Sequence, residues 1–138
     1  MISRRKLQRK IFTPPTIKGY TIFGPLRKKN EKIRLFLEEY ECIRLLDFEH
    51  MTQEEAAIHM EVSRPTLTQI YESARKKVAQ SLIEGIDLII SGGEFVFDGT
   101  WYRCDSCKAN FDIPANSECC FPICKSAEIK SLNAYYST

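Results

Sequence analysis

Residues 52–85, TQEEAAIHMEVSRPTLTQIYESARKKVAQSLIEG, decide the fold. Thr52 followed three residues later by Glu55 is a capping box, in which side chains satisfy the first free N–H groups of a helix. It opens a short helix through Met60, with Ala56, Ala57 and Met60 on its apolar face. Ser63 caps a second helix. Pro65 lies in its first turn, where a missing N–H costs nothing. Leu67, Ile70, Tyr71, Ala74 and Val78 recur at helical spacing and make an inward stripe. Gly85 can supply the left-handed residue that ends it. Upstream, Leu37, Tyr40, Ile43 and Leu46 follow the same period. Glu38, Glu39 and Glu41 lie early in that helix, where its dipole favours acids.

A short capped helix, a turn of about three residues and a longer capped helix form a helix-turn-helix, which places the second helix in the DNA major groove. Ala56 and Ala57 permit a close crossing, and Val62 plugs the space at the turn. The outward face of the second helix, about residues 63–84, carries Arg64, Thr66, Thr68, Gln69, Ser73, Arg75 and Lys76. Arg reads guanine bidentately, Gln reads adenine, and Thr bonds to either or touches a thymine methyl. Arg75, Lys76 and Lys77 are placed further along, where phosphate is the expected partner. Glu61 stands in the turn where a residue with positive φ, usually Gly, is expected. That costs about 1 kcal/mol and predicts a distorted or longer turn.

The blocks EYECIRLLD, TQEEAA, VSRPT and ESARKKVA, in that order, resemble an uncharacterised prokaryotic family of predicted DNA-binding proteins. The core is similar to the helix-turn-helix of region 4 of sigma-70-type factors. The resemblance covers roughly residues 3–97 and includes the basic, Pro-containing N-terminal segment and Gly92-Gly93. It implies DNA binding connected with transcription, and no reaction. The departures are Glu61 at the usual Gly, and Cys42 and Ile43 where the family tends to have Ala and Leu.

The net charge of +2 hides an asymmetry. Residues 1–30 hold nine bases (Arg4, Arg5, Lys6, Arg9, Lys10, Lys18, Arg27, Lys28, Lys29) and no acid, so the other 108 residues, with 11 bases and 18 acids, carry −7. Such a segment seeks a polyanion. Its Pro and Gly residues argue against a helix, and its apolar residues argue for an extended arm docked on something. Arg4, Arg5 and Lys6 are its candidate DNA contacts. No apolar run approaches the ~20 residues of a membrane helix, and no apolar stretch follows the basic start as in a secretory signal. A cytoplasmic protein is expected.

Five of six cysteines fall between Cys104 and Cys124. Cys104-Asp105-Ser106-Cys107 is a C-x2-C knuckle, followed after a loop of 11 or 12 residues by the Cys119-Cys120-Phe121-Pro122-Ile123-Cys124 stretch. Two thiolate pairs separated by a hairpin match tetrahedral zinc. Cys104, Cys107, Cys120 and Cys124 are the expected ligands. Cys119 is the alternative to Cys120. A disulfide, an iron–sulfur site or a redox sensor stays open. One structural zinc per chain would staple a segment with few core residues.

The expected fold is therefore mainly α: a basic extended arm at 1–30, a helix-turn-helix domain at 31–90 and a small β zinc-ribbon module at 94–138. The expected function is sequence-directed binding of double-stranded DNA by a transcriptional regulator. Docking on RNA polymerase, or a metal or redox sensor, is the alternative. No heptad run forces a homodimer, though such units often pair. No phosphate loop, dinucleotide turn or nucleophile elbow is present, His50 and His59 read as surface residues, and no enzyme is expected.

Overall fold

A computed structural model describes residues 9–97, 101–104, 110–112 and 129–136. Three strands, β1 (Arg9–Ile11), β2 (Gly19–Tyr20) and β3 (Lys28–Leu35), precede three helices, α1 (Leu37–Ile43), α2 (Gln53–Met60) and α3 (Arg64–Glu84). Then come β4 (Ile86–Ile90), β5 (Phe95–Phe97), β6 (Trp101–Cys104), β7 (Asn110–Asp112), β8 (Ile129–Ser131) and α4 (Leu132–Tyr135). The molecule is a mixture of helix and sheet, and the mainly α expectation is corrected.

The strands explain the difference. β4 lies between β2 and β3, antiparallel to the first and parallel to the second. The helices are thus the crossover joining two parallel strands. Gly85, at φ 69°, ends α3 and turns the chain straight into β4. Ile86, Leu88 and Ile90 alternate inward, each 2 % exposed, with period two. β3 crosses residue 30, where an arm was expected to end. β1 pairs in parallel with β5, with Arg9 opposite Phe95 and Ile11 opposite Phe97. The basic segment is therefore built into the fold from residue 9 onward.

α3 is the wall shared by two apolar clusters. Ala74 and Val78 face Ile11, Leu35, Leu37, Leu88, Ile90, Phe97 and, from the C-terminal segment, Leu132 and Tyr136. Leu67, Ile70 and Tyr71 face Cys42, Leu45, Ala56, Ala57 and Met60. The expected stripe is correct and serves two cores. Each fully buried large side chain contributes about 1.5–3 kcal/mol.

The Glu38, Glu39 and Glu41 side chains, early in α1 where its dipole favours acids, are all buried. Glu38 Oε2 accepts the Glu94 N–H at 2.7 Å. Glu41 accepts the Phe12 N–H at 2.8 Å and is paired with Arg44. Glu39 accepts the Phe36 N–H at 2.8 Å and closes the cap of α1. One short helix thus ties the β1 segment, the β5 entry and its own start. Gly93 is required where it stands, because its φ is 97° and a Cβ there would lie 2.8 Å from the Phe36 Cβ. After Ile43 the helix widens into a π-helical turn (Arg44–Phe48), closed by the Glu49 N–H on the Arg44 carbonyl at 2.8 Å.

Candidate nucleic-acid interface

α2 and α3 are capped as the residues dictate. Thr52 accepts the Glu55 N–H and Ser63 accepts the Thr66 N–H. Glu61 takes the left-handed conformation itself, at φ 55° and ψ 45°, and its N–H still reaches the Ala57 and Ile58 carbonyls. The turn of residues 61–63 is therefore neither lengthened nor distorted, contrary to expectation. Lys10 reaches Glu61 at 3.4 Å and so holds the β1 segment beside the turn.

Arg64 is exposed and pairs with Glu54 of α2 at 2.9 Å. An exposed pair of this kind is worth about 0–1 kcal/mol and yields readily to a stronger anion. Gln69 and Lys76 are exposed. Arg75 is exposed too, its guanidinium 5.3 Å from the Tyr71 ring centre. The remaining candidates are bonded internally. The Thr66 hydroxyl accepts from Ser63 at 2.9 Å. Thr68 donates to Gln53 at 2.7 Å and locks α3 to α2. Ser73 donates to Glu39 at 2.5 Å, and Lys77 lies 2.6 Å from the same carboxylate. Of the α3 candidates, Arg64, Gln69, Arg75 and Lys76 form the exposed outward face, with Arg64 engaged by Glu54. Arg4, Arg5 and Lys6 lie outside the described residues.

Beside this face is an open cleft of about 440 Å3, lined by Arg9, Glu38, Glu39, Gln69, Ser73 and Glu94 among others. Burial pushes the Glu38 carboxyl above its ordinary range, against the lowering effect of the Glu94 N–H and of Arg9. The Cys42 thiol, wholly buried, is pushed up by burial and then by Glu41. It is held as a neutral thiol, which suits a core residue and not a reactive one.

Of the cysteine cluster, Cys104 ends β6, where its backbone stands opposite Ile129 of β8. Cys107, Cys119, Cys120 and Cys124 lie outside the described residues. Among the described residues, no group of three His, Cys, Asp or Glu is placed to hold a metal, and no helix is long and apolar enough to cross a membrane.

The geometry defines a mixed helix-and-sheet protein that presents a capped two-helix unit with a polar, partly basic outer face. The chain belongs to the family described as Protein of unknown function DUF134, whose model it matches over residues 1–98. It is 41 % identical over 110 residues to a UPF0251 protein of Caldicellulosiruptor bescii, covering 80 % of this chain and 76 % of that one. It is 35 % identical over 130 residues to a UPF0251 protein of Chloroherpeton thalassium, covering 94 % and 86 %. A further relative, the UPF0251 protein of Methanothermobacter thermautotrophicus, is 34 % identical over 113 residues, covering 81 % and 60 %. No solved structure matches the chain.

Proposed function

We propose that this protein binds double-stranded DNA through the α2–turn–α3 unit and acts as a cytoplasmic transcriptional regulator without catalysing a reaction. The observation that carries this reading is the exposed outward face of α3. Arg64 and Gln69 stand exposed on its first turns, the part such a unit inserts deepest into the major groove. Arg75 and Lys76 follow on the later turns, where the phosphate backbone passes. Thr68 and Ser73 keep the helix rigid on its support, which base readout requires. The left-handed Glu61 supports the tight turn that sets the angle between the two helices.

In this reading Cys104, Cys107, Cys124 and either Cys120 or Cys119 hold one structural zinc. The strand register supports it. β6 is the middle strand, and the connection carrying Cys107 starts from the end where Cys104 stands opposite Ile129. Cys124 is five residues before Ile129 in the chain. The metal would supply folding energy to this segment and no reaction chemistry.

The test is binding of the full chain to duplex DNA across a salt series. Affinity should fall steeply as salt rises, because each neutralised phosphate releases counterions. A salt-independent interaction, or none, would leave a protein partner such as RNA polymerase as the better reading. One observation favours that second reading. Leu82 and Ile83 are 73 % and 81 % exposed at the far end of α3, and the Leu26 backbone lies against Gly85 beside them.

A further inference from the structure

The acids of this protein neutralise several cations of its helical side, Arg75 and Lys76 excepted, and leave those of the sheet of β2, β4 and β3 free. Arg44 is paired with Glu41 and Glu49, Arg64 with Glu54, Lys77 with Glu39 and Lys10 with Glu61. The sheet of β2, β4 and β3 is different. Lys18, Lys28, Lys29, Lys32 and Arg34 are all exposed, and among the described residues none of them forms an ion pair. β3 is an edge strand. Ile33 and Leu35 turn inward with Leu88 and Ile90, so Lys32 and Arg34, opposite Asp87 and Ile89, belong to the face turned away from α3. Lys18 and Lys32 flank a hollow of about 370 Å3 on that sheet. The Lys18 ammonium is set 4.0 Å from the Tyr135 ring centre, which fixes its position without cancelling its charge. Two acids are near. Asp87 is engaged by the Ile22 N–H at 2.8 Å, and Glu31 is exposed on β3. Lys18, Lys32 and Arg34 against these two leave the face positive, and Lys28 and Lys29 extend the free charge along the edge of the same strand.

We propose that this sheet face is a second, sequence-blind site for the phosphate backbone of duplex DNA, and that it takes a duplex segment other than the one α3 reads. The proposal rests on the DNA-binding reading above for the first segment only. Charge complementarity selects the occupant: closely spaced free ammonium and guanidinium groups on an extended strand match a line of phosphates. Distance separates the two sites. The Lys28 N–H bonds the Gly85 carbonyl at 2.8 Å, at the C-terminal end of α3. At 1.5 Å per residue, the 21 residues of α3 put that end about 30 Å from its reading end. A major groove about 12 Å wide takes the first turns of the helix and leaves the far end outside.

The test is capture of a second duplex by the full-length protein. A tethered duplex carrying a site selected by the protein is saturated, and a labelled duplex of random sequence is then added. The intact protein should retain the labelled duplex at low salt and release it as salt rises. The variant Lys28→Glu, Lys32→Glu, Arg34→Glu should hold the tethered duplex within about twofold and lose the labelled one. Its salt slope for random duplex should flatten by about 0.9 for each phosphate it no longer neutralises. Replacing the same residues by Gln should give the same order of effects more weakly, and an unchanged melting temperature shows that both variants fold. Undiminished capture by the Glu variant would overturn the proposal, since α3 or pairs of chains would then do the bridging. Equal loss of both duplexes would overturn it as well, because one segment would span both surfaces. If no site is selected and Arg64→Ala is silent, yet the Glu variant loses random duplex, the α3 reading fails and the sheet site stands.

Discussion

The Glu39 carboxylate accepts the Ser73 hydroxyl at 2.5 Å, so α1 grips the middle of α3 from beneath its outer face. Lys77, one turn further, completes the grip at 2.6 Å. Three donors converge on this buried acid, counting its own cap. Removing the acid strands a partly buried ammonium. Breaking a buried pair in this way costs about 3–5 kcal/mol, and because Lys77 retains some exposure the lower end applies. Glu39→Ala should therefore shift the urea midpoint strongly, whereas Ser73→Ala should cost about 1 kcal/mol. Neither should alter which base is preferred.

Glu38 carries a pH dependence of known sign. Its folded carboxyl is raised by burial. The folded state thus binds the proton more tightly than the unfolded chain. Stability is fully present below the unfolded carboxylate value and falls as pH rises from there through the raised folded value. Glu38→Gln keeps an acceptor for the Glu94 N–H and removes the buried charge. It should raise the melting temperature at pH 7 by about 2–5 °C and leave it unchanged near pH 4. Calorimetry at the two pH values checks this; equal shifts would contradict it.

Glu61 tests the turn. A non-Gly residue in the left-handed region costs about 1 kcal/mol. Its exposed pair with Lys10 returns little. Glu61→Gly should be neutral or stabilising by up to about 1 kcal/mol. Glu61→Val should be clearly destabilising, because a branched side chain resists positive φ. Denaturant midpoints decide.

Zinc removal separates the two ends of the chain. Purified, reduced protein should carry about one zinc per chain by elemental analysis. Cys104→Ser or Cys107→Ser should release it, while the helices of residues 37–84 stay folded. Cys119→Ser and Cys120→Ser, made separately, identify the fourth ligand, since only one should release metal. Metal-free protein as isolated would contradict the assignment.

The helices were legible because their signals are local. Thr52, Ser63, Pro65 and Gly85 mark the ends of α2 and α3, and the Leu67 to Val78 stripe marks one face. The sheets were not. β3 reads Lys28-Lys29-Asn30-Glu31-Lys32 before its first apolar residue, since an exposed edge strand needs few apolar neighbours. β4 is a five-residue stretch, apolar except for Asp87 and too short for its periodicity to separate strand from helix. The burial of Glu38, Glu39 and Glu41 was equally hidden. Acids at a helix start ordinarily face water, and only tertiary partners from residues 12, 73, 77 and 94 reverse that. The outer face of α3 was half legible: Arg64, Gln69, Arg75 and Lys76 are exposed as their spacing implies, while Thr68 and Ser73 are drawn inward by Gln53 and Glu39.

The most direct test of the DNA-reading account is to select a preferred duplex from random sequence and measure three variants on it. Arg64→Ala and Gln69→Ala should each cost about 1–3 kcal/mol on that duplex and relax the preference at one base pair. Lys76→Ala should weaken all sequences evenly, because a phosphate contact is blind to the base. Enrichment of no sequence, or identical behaviour of Arg64→Ala and Lys76→Ala, would contradict base reading by α3.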